Sequence, residues 1–508
     1  MTKRAVFIPL FLLLILVLLL FIENTRLETM QPSVDWSRSI ETGGKASTLQ
    51  APFIHNERLF FAEDHGVSEI ICSAGLDCKK KKVADISIPG SSAFWTDGKD
   101  VIYQDDTDLY LFRNGEKKLM EKGLSSARAG NDSLIFWKNE DLYIVDTVNK
   151  KSKKIHHADY PIIDAAFEKD SFVVAEEKGP GIFKLTLFEG KRTNYKKLPL
   201  PEIEFPNGEV LEAFKLSRKE NDMILALNTM RISQGNKSFD IWEAAYNLKA
   251  LKKPVLSRAD FMDQKSGAEY KDPRNMNFRV DGGSEQLLFM ANGQRYSKFQ
   301  GYNLYLAEKK KGKWTAQKVS TTRNLPNSPV WTGKGMVMWV NFTGGQNDLY
   351  GASTNKDAIE KGSKITKTDV KFSASNTVTA LFGSFLVLFS SMMWVILPCT
   401  FYAILFFSKG NLLDDDSRKW VLYVPILLFL LTQLYYFNTA LRKDSYVFAP
   451  EYLTFHGSFY IWPCIAALIS FGVLRLSRLK DVNAAGRFFY FAVVDILILM
   501  FLIGPYIL

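Results

Sequence analysis

One pattern of two short strands occurs first in VIYQDDTDLYLF (residues 101–112) and again in LIFWKNEDLYIV (residues 134–145). In both copies a short apolar run precedes an Asp-Leu-Tyr sequence. The second copy lies 33 positions further along in both of its parts (134 minus 101, and 141 minus 108). Short runs rich in aromatic and β-branched residues indicate strands, and the constant shift indicates that a unit of two strands is repeated.

Five further copies of the same pair, of which the first three below are weaker, bring the total to about seven units. They are Leu59–Phe61 with Glu69–Ile71, Phe172–Val174 with Phe183–Leu185, Met223–Leu225 with Asp240–Trp242, Leu287–Phe289 with Asn303–Leu306, and Met336–Trp339 with Asp348–Tyr350. Strand-rich units separated by turn residues are typical of the blades of an all-β propeller, whose radial closure hides most sheet edges. The segment from Pro199 to Pro273 is poorly patterned, so six and eight blades stay open. We expect the Leu of each Asp-Leu-Tyr to pack against the next blade.

Three of these units resemble the TolB-type propeller repeat. Its usual form is a Trp or Phe, a Ser-Pro-Asp-Gly turn, an apolar strand and then Asp-Leu-Tyr. The similar segments are Pro329–Gly335 through Tyr350, Ala93–Lys99 into Tyr110, and Phe278–Gly282 into Tyr305, with Lys313-Trp314 closing the last. No unit keeps Ser-Pro-Asp-Gly intact. The resemblance implies a propeller that serves as a binding or scaffolding module, and no hydrolase domain of the kind found in related peptidases follows it.

Five apolar segments flank the repeats, one before them and four after them. They are Ala5–Ile22, Val378–Phe407, Trp420–Leu441, Leu453–Leu474 and Phe488–Leu508. A run of about 18 apolar residues is long enough to cross the bilayer core. The first run leaves through Phe21 to Arg26 without a small-residue cleavage site, so we interpret it as an uncleaved anchor. The predicted domains are an anchor at residues 1–29, an extracytoplasmic propeller at 30–372 and a four-helix transmembrane region at 373–508.

Basic residues between the apolar segments indicate the orientation of the chain. Lys and Arg concentrate in cytoplasmic loops. The segments that alternation places inside carry most of them, namely Lys3 and Arg4, then Lys409, Arg418 and Lys419, then Arg475, Arg478, Lys480 and Arg487, against Arg442 and Lys443 outside. We therefore expect a multi-pass protein of the plasma membrane with a cytoplasmic N-terminus. The large domain and the C-terminus are then extracytoplasmic.

Four cysteines occur, and two of them are close together in the predicted outside domain. Cys72 and Cys78 would form a disulfide at the tip of a hairpin, and closing so short a loop contributes about 2 kcal/mol in the chain-entropy model. Two free thiols near a turn are an equally good interpretation. Cys399 and Cys464 lie in apolar segments, where we expect buried small hydrophobes.

The motifs of common enzymes are missing from the sequence. Gly-x-Ser-x-Gly does not occur, a phosphate-binding Gly-x-x-x-x-Gly-Lys-Ser/Thr loop does not occur, and no two of the five histidines have the spacing of a zinc helix. Adjacent His156 and His157 would point to opposite faces of a strand and form a surface pair. Asp105, Asp106 and Asp108 lack the glycine of a calcium loop. We expect no enzyme activity, no catalytic residue, no metal and no cofactor.

Asp495 is an ionisable residue within a predicted membrane segment. A carboxylate at the bilayer centre costs about 2.5 to 3.5 kcal/mol on insertion scales, so it should face other helices or water. A hydrogen bond to Gln433, Asn438 or Ser470 is the preferred interpretation. A proton or ion pathway is the alternative, which makes Asp495 a candidate functional acid.

The formal charge of +10 includes three lysine clusters, each just past a strand-like run. They are Lys79 to Lys82, then Lys150, Lys151, Lys153 and Lys154, then Lys309, Lys310, Lys311 and Lys313. We expect solvated turns at these places. Attraction to anionic lipid headgroups or to an anionic wall polymer is the sharper interpretation. Nucleic acid is not an expected partner of an outward-facing domain.

Taken together, these features predict a membrane protein that presents a propeller for binding, sensing or assembly. Its expected partners are the lipid bilayer and a protein in or outside the membrane. The alternative is a component of a transport or envelope-maintenance complex in which the C-terminal helices act in the membrane.

Overall fold

The computed structural model describes residues 3–506 except 48, 91, 192, 207–208, 265–266, 268, 294–300, 334, 345–346, 411–412, 414–417, 441–452, 454, 456 and 480–481. Arg442, Lys443 and Lys480 therefore lie outside the described residues. The chain divides into two compact units. The propeller unit comprises Gln31–Gly293 and Gly301–Lys364, and the helical unit comprises residues 3–30 and the chain from Ile365 onward.

Seven sheets, called blades 1 to 7, make up the propeller unit. Blade 1 contains β2 (Phe53–His55), β3 (Arg58–Glu63), β4 (Gly66–Cys72) and β5 (Cys78–Ala84), and blade 2 contains β6 (Phe94–Thr96), β7 (Val101–Asp105), β8 (Asp108–Arg113) and β9 (Glu116–Glu121). Blade 3 contains β10 (Ser126–Ala129), β11 (Ser133–Lys138), β12 (Asp141–Asp146) and β13 (Lys151–His157), and blade 4 contains β14 (Ile162–Glu168), β15 (Ser171–Gly179), β16 (Ile182–Lys191) and β17 (Asn194–Glu204).

The last three blades have longer strands. Blade 5 contains β18 (Val210–Lys219), β19 (Asp222–Ser233), β20 (Asn236–Asn247) and β21 (Leu256–Arg258). Blade 6 contains β23 (Lys271–Asp281), β24 (Ser284–Gly293), β25 (Gly301–Lys310) and β26 (Lys313–Lys318), with β22 (Phe261–Asp263) pairing in parallel with β26 as a fifth strand. Blade 7 contains β27 (Leu325–Gly333), β28 (Met336–Phe342), β29 (Asn347–Ser353) and β1 (Ile40–Ala46). The poorly patterned segment thus contains one regular blade, and the prediction of a propeller with about seven blades is confirmed.

The predicted strand pairs are the second and third strands of the seven blades. In blade 3, Phe136 of β11 lies opposite Tyr143 of β12. Leu142 of β12 is fully buried and packs in a cluster that includes Phe172 of blade 4. The Leu of Asp-Leu-Tyr therefore packs against the next blade, as expected, and the repeat reflects packing between blades.

Each blade shares its apolar core with its neighbours. Seven clusters of buried side chains lie between successive blades, including one between blades 7 and 1. The first strands of adjacent blades lie beside one another, as β14, β18 and β23 do, so they surround the centre of the ring and the fourth strands form its rim. Arg128 of β10 and Asp164 of β14 form an ion pair of 2.7 Å between two such inner strands.

The ring is closed by strands from distant parts of the sequence. β1 pairs antiparallel with β29, with Ile40 opposite Gly351 and Ala46 opposite Asn347. Thr42 Oγ1 donates a hydrogen bond of 2.7 Å to the Leu349 carbonyl. The N-terminal strand therefore completes the blade formed by the last three strands, because it pairs with the second edge of β29 and becomes the outer strand of blade 7.

The helical unit contains five helices long and apolar enough to cross a membrane, counted over the described residues. These are α1 (Lys3–Thr29), α3 (Lys367–Lys409), α4 (Trp420–Ala440), α5 (Ser458–Leu476) and α6 (Ala484–Ile503), whereas the short α2 (Lys356–Ser363) belongs to the propeller unit. Asn24 Nδ2 donates to Thr377 Oγ1 at 2.9 Å, and the Tyr490 hydroxyl donates to the Ala5 carbonyl at 2.9 Å. The N-terminal helix therefore packs against α3 and α6, and the prediction of one N-terminal and several C-terminal apolar helices is confirmed.

Most of the clustered lysines lie on strands and not in turns, contrary to expectation. Lys79–Lys82 lie in β5, Lys151, Lys153 and Lys154 in β13, Lys309 and Lys310 in β25, and Lys313 in β26. Lys150 and Lys311 do occupy turns, with φ of 55° and 50°. Outside blade 6, where β22 pairs with β26, the fourth strand of a blade has one unpaired edge. Charged side chains are favoured at such an edge because they discourage pairing with other chains.

Gly44 tests the closure of the ring. A Cβ at this position would lie 3.0 Å from Phe61 Cζ and 3.1 Å from Leu349 Cβ. We expect Gly44→Leu to overpack the contact between β1, blade 7 and blade 1 and to destabilise the propeller by about 1–3 kcal/mol. The measurement is thermal unfolding of the purified full-length protein.

Glu41→Leu introduces the same residue at an exposed position of the same strand. We expect a change within about 0.5 kcal/mol for this control. Equal unfolding temperatures for the two variants would show that β1 does not pack as described.

Candidate functional site

Cys72 and Cys78 lie directly opposite each other at adjacent ends of β4 and β5 and form a disulfide with an S–S distance of 2.05 Å. The loop that they close contacts α2, because Lys361 Nζ donates to the Leu76 carbonyl at 3.0 Å and pairs with Asp77 at 2.8 Å. Leu76 also packs with Ala358 in a small buried cluster. The disulfide loop therefore positions α2 within the propeller unit.

The two cysteines in apolar helices, Cys399 and Cys464, carry free thiols and are exposed. The expectation that both are buried is therefore wrong. Exposure on a membrane helix is compatible with an apolar side chain because lipid is itself apolar.

Asp495 lies on α6 and is fully buried against α4. Gln433 Nε2 donates a hydrogen bond of 2.5 Å to Asp495 Oδ2. Asp495 Oδ1 and Gln433 Oε1 have no hydrogen-bond partner among the described residues. The side chain of Asn438 lies outside the described residues. The pair is a buried polar contact between α4 and α6, in a helical unit that also buries hydroxyl groups such as that of Ser470.

The other residues considered for chemistry are dispersed. His156 is buried beside Glu176, with 3.5 Å between Nε2 and Oε1, while His157 is exposed and lies 2.6 Å from Asp141. The two rings face opposite sides of β13 as expected, but His156 is not a surface residue. Asp105 pairs with Lys117 at 2.7 Å. Within the described ranges, no three His, Cys, Asp or Glu side chains converge as metal ligands.

A cleft of about 330 Å³ lies between blades 5 and 6. Its lining contains three basic and three acidic residues, two aromatic rings and three small residues. The basic residues are Arg231, Arg258 and Lys271, and the acidic residues are Asp240, Glu269 and Asp272. The rings are Phe239 and Tyr270, and the small residues are Ser238, Ala259 and Pro273. The longest hairpin of blade 5, between β19 and β20, supplies one wall, and the start of β23 supplies the other. The three basic and three acidic side chains give the lining of the cleft a formal net charge of zero.

Ion pairs connect the two walls of this cleft. Arg258 Nε lies 3.0 Å from Asp240 and 3.5 Å from Asp260, and its Nη2 lies 3.5 Å from Glu269. Lys271 pairs with Glu269 at 2.8 Å. Arg258 is thus shared among three carboxylates, and none of them forms a close bidentate pair with it.

Asp240 is a carboxyl whose pKa is perturbed in the cleft. Burial raises the pKa of its carboxyl above the ordinary value, and the nearby carboxylates of Glu209 and Asp272 raise it further, whereas Arg258 and Arg231 lower it. Loss of hydration therefore outweighs the pairing with arginine. A carboxyl perturbed by desolvation in a cleft is a candidate functional group.

Aromatic packing holds the walls of the cleft in place. The Arg274 guanidinium lies 4.6 Å from the Phe239 ring centre and 4.4 Å from that of Tyr302. The Tyr270 ring lies 4.1 Å from that of Tyr305, and burial raises the pKa of the Tyr270 hydroxyl, which donates to Asp263. The site is therefore preformed by side chains of β20, β23 and β25.

Sequence reasoning did not find this cleft. The sequence pattern assigned Asp240 only to a repeated strand. Glu269, Lys271 and Asp272 fall in the poorly patterned segment. The high density of charge between residues 258 and 274 was a usable signal. The ion pair of Asp240 with Arg258 could not be predicted from the sequence, because it depends on the pairing of β20 with β21.

The raised pKa of Asp240 leads to a testable stability effect. A carboxyl with a raised folded-state pKa contributes stability below its ordinary pKa, and this contribution is lost as the pH rises through the folded-state value. An asparagine at position 240 does not titrate, so Asp240→Asn should not show this loss. The unfolding temperature of Asp240→Asn minus that of the wild type should therefore increase between about pH 4 and pH 7. Thermal unfolding at the two pH values measures the difference.

Asp260→Asn is the matched control, since Asp260 also faces Arg258 but is mostly exposed. Its unfolding temperature should follow the wild type at both pH values. If the unfolding temperature of Asp240→Asn instead falls relative to that of the wild type between about pH 4 and pH 7, pairing with Arg258 dominates and the raised pKa of Asp240 is contradicted.

Comparison with solved structures finds other propellers at low identity. The N-terminal domain of Nup159 matches over 63% of this chain and 96% of its own length, with 11% identity and a TM-score of 0.38. The β-propeller domain of the Trilobed protease from Pyrococcus furiosus matches over 63% and 98%, with 12% identity and a TM-score of 0.35. BamB from Moraxella catarrhalis matches over 61% and 98%, with 10% identity and a TM-score of 0.34. No protein-family model and no curated protein matches the chain.

Proposed function

We propose that this chain is a membrane protein of the cell surface whose propeller is a non-catalytic binding module for a protein partner. Five candidate membrane helices would hold the module, and the basic residues near their ends favour a cytoplasmic N-terminus with the propeller outside. The resemblance of three units to the TolB-type repeat supports a binding or scaffolding role over a reaction.

The cleft between blades 5 and 6 is the observation that carries the proposal. Asp240 pairs with Arg258 at 3.0 Å, yet burial still raises its pKa, and a perturbed carboxyl in a cleft is a candidate for contact with a ligand. Balanced charge on opposite walls, with Lys271 on one and Asp240 on the other, suits a polypeptide segment that carries both signs of charge. The Phe239 and Tyr270 rings add apolar contact area of the kind that protein interfaces use.

Charge reversal at Lys271 tests this function. Lys271 is 69% exposed and its only close partner among the described residues is Glu269, so Lys271→Glu should keep the fold. We expect the full-length wild type, extracted gently from its own membrane, to retain a protein partner in stoichiometric yield. Lys271→Glu should lower that yield at least tenfold, because it places a carboxylate where the cleft now has an ammonium.

Lys249→Glu makes the same change in an exposed turn after β20. It should retain the partner at the wild-type level. The proposal fails if no protein is retained by the wild type, or if both variants retain it equally.

A transport role is the second candidate, and the buried pair of Asp495 and Gln433 is the observation that favours it. Carboxyls inside membrane helices are costly and often mark ion or proton pathways. If this pair only stabilises helix packing, Asp495→Asn should keep normal abundance and proteoliposomes of the wild type should show no ion flux. Flux in the wild type that disappears in Asp495→Asn at equal abundance would support transport instead.

A further inference from the structure

The outer strands of four successive blades are rich in lysine. They carry Lys79, Lys80, Lys81 and Lys82 on β5, Lys117 and Lys118 on β9, Lys151, Lys153 and Lys154 on β13, and Lys196 and Lys197 on β17. These positions form one basic arc along the rim of blades 1 to 4. The arc is not visible in the sequence, where the four groups lie roughly 40 residues apart and belong to different repeats.

Some of these lysines have internal partners. Lys80 pairs with Glu63 at 2.8 Å, Lys117 with Asp105 at 2.7 Å and Lys154 with Asp141 at 2.7 Å. Lys197 Nζ lies 3.0 Å from His156 Nδ1. Contacts within the propeller therefore give each of these four lysines a partner.

Two lysines without ion-pair partners among the described residues meet in one groove. Lys153 of blade 3 and Lys196 of blade 4 line an open groove of about 530 Å³. The remaining lining residues are Lys154, Ile155, Glu189, Thr193, Asn194 and Tyr195. The single carboxylate there, Glu189, accepts a hydrogen bond from Arg218 of blade 5. Glu189 also lies opposite Lys196 in the pairing of β16 with β17, and the lining then contains three lysines against this one carboxylate.

Protection of sheet edges explains part of this pattern. A lysine row on each outer strand discourages pairing with another chain. It does not require that rows from two blades line the same recess. The convergence of Lys153 and Lys196 therefore calls for a second explanation, and an anionic ligand provides one.

The chemistry of the groove narrows the class of ligand. Lysine ammonium groups bind phosphate as compact point charges, and the Asn194 amide and Thr193 hydroxyl add neutral donors. The Tyr195 ring, half-buried and packed edge-on against Phe172 with 5.1 Å between ring centres, is the one aromatic ring among the described lining residues. Successive bases of a single strand stack on several aromatic side chains, so this lining does not suit a ligand with bases. An open groove suits a chain that runs along it better than a small enclosed molecule.

We propose that the groove between β13 and β17 binds an extended phosphate-bearing polyanion without bases. Ammonium groups of Lys153 and Lys196 contact successive phosphates, and the other lysines of the rim add longer-range attraction. This site is separate from the cleft between blades 5 and 6 and does not depend on the function proposed for it.

The test uses the full-length protein in a neutral detergent with fluorescently labelled inorganic polyphosphate as the probe. Lys153→Gln combined with Lys196→Gln should weaken binding at least tenfold at moderate salt. The matched control, Lys79→Gln combined with Lys81→Gln, removes the same charge from the outer strand of blade 1 and should change the affinity less than threefold.

A second arm of the test replaces polyphosphate with vesicles that contain phosphatidylglycerol. The proposal predicts that the groove variant loses polyphosphate binding and changes vesicle binding no more than the control variant does. If the groove variant and the control variant lose polyphosphate binding equally, the proposal is overturned. The lysines of the rim would then attract the polyanion without a specific site. Vesicle binding that depends on the groove, together with absent polyphosphate binding, would overturn it in favour of a lipid surface.

Discussion

The pairing of β1 with β29 is the contact on which the propeller depends. Each blade is a sheet with two apolar faces, and every major apolar cluster of the propeller lies between two blades. A blade alone leaves both faces in water, so the sheets are stable only as a ring. Ala46 of β1 belongs to the cluster that joins blade 7 to blade 1. Closure therefore links the two ends of the domain and buries the last pair of faces at once.

Much of this architecture could be predicted because packing between blades imposes a pattern on the sequence. The second and third strands of a blade lie between two neighbouring blades, and both of their edges are paired. Val101–Tyr103 is therefore apolar and buried, and Leu109 and Leu111 are buried at every second position of Asp108–Leu111. The first and fourth strands lack that constraint. β6 has three residues and β9 carries mostly exposed lysine and glutamate, so neither produces a recognisable pattern.

The sequence was least informative where strands from different blades meet. The cleft of Asp240 combines β20 and β21 with the start of β23, and the groove of Lys153 and Lys196 combines two outer strands. Each wall is visible as a charged segment, but the geometry that joins the walls is set by the ring. Reading those lysines as turns was wrong because an outer edge tolerates charge as well as a turn does. Asp495, by contrast, could be singled out from the sequence because charge is rare in an apolar helix.

Binding surfaces and stability are thus distributed differently in this molecule. The apolar interfaces between blades carry the stability, and both proposed binding sites lie in polar recesses at the margins of these interfaces. A small set of charged residues at the margins, such as Asp240 and Lys153, can change without altering the repeat. This division matches the way propellers serve as scaffolds, with function located in sites added to a common fold.

Hydrogen exchange of the full-length protein tests the central claim, closure of the ring by β1, most directly. If β1 completes blade 7, the amides of Ile40–Ala46 that bond to β29 should be protected to the same degree as those of β29 itself. Exchange of β1 at the rate of an unstructured segment, with β29 still protected through β28, would contradict closure and the ring that follows from it.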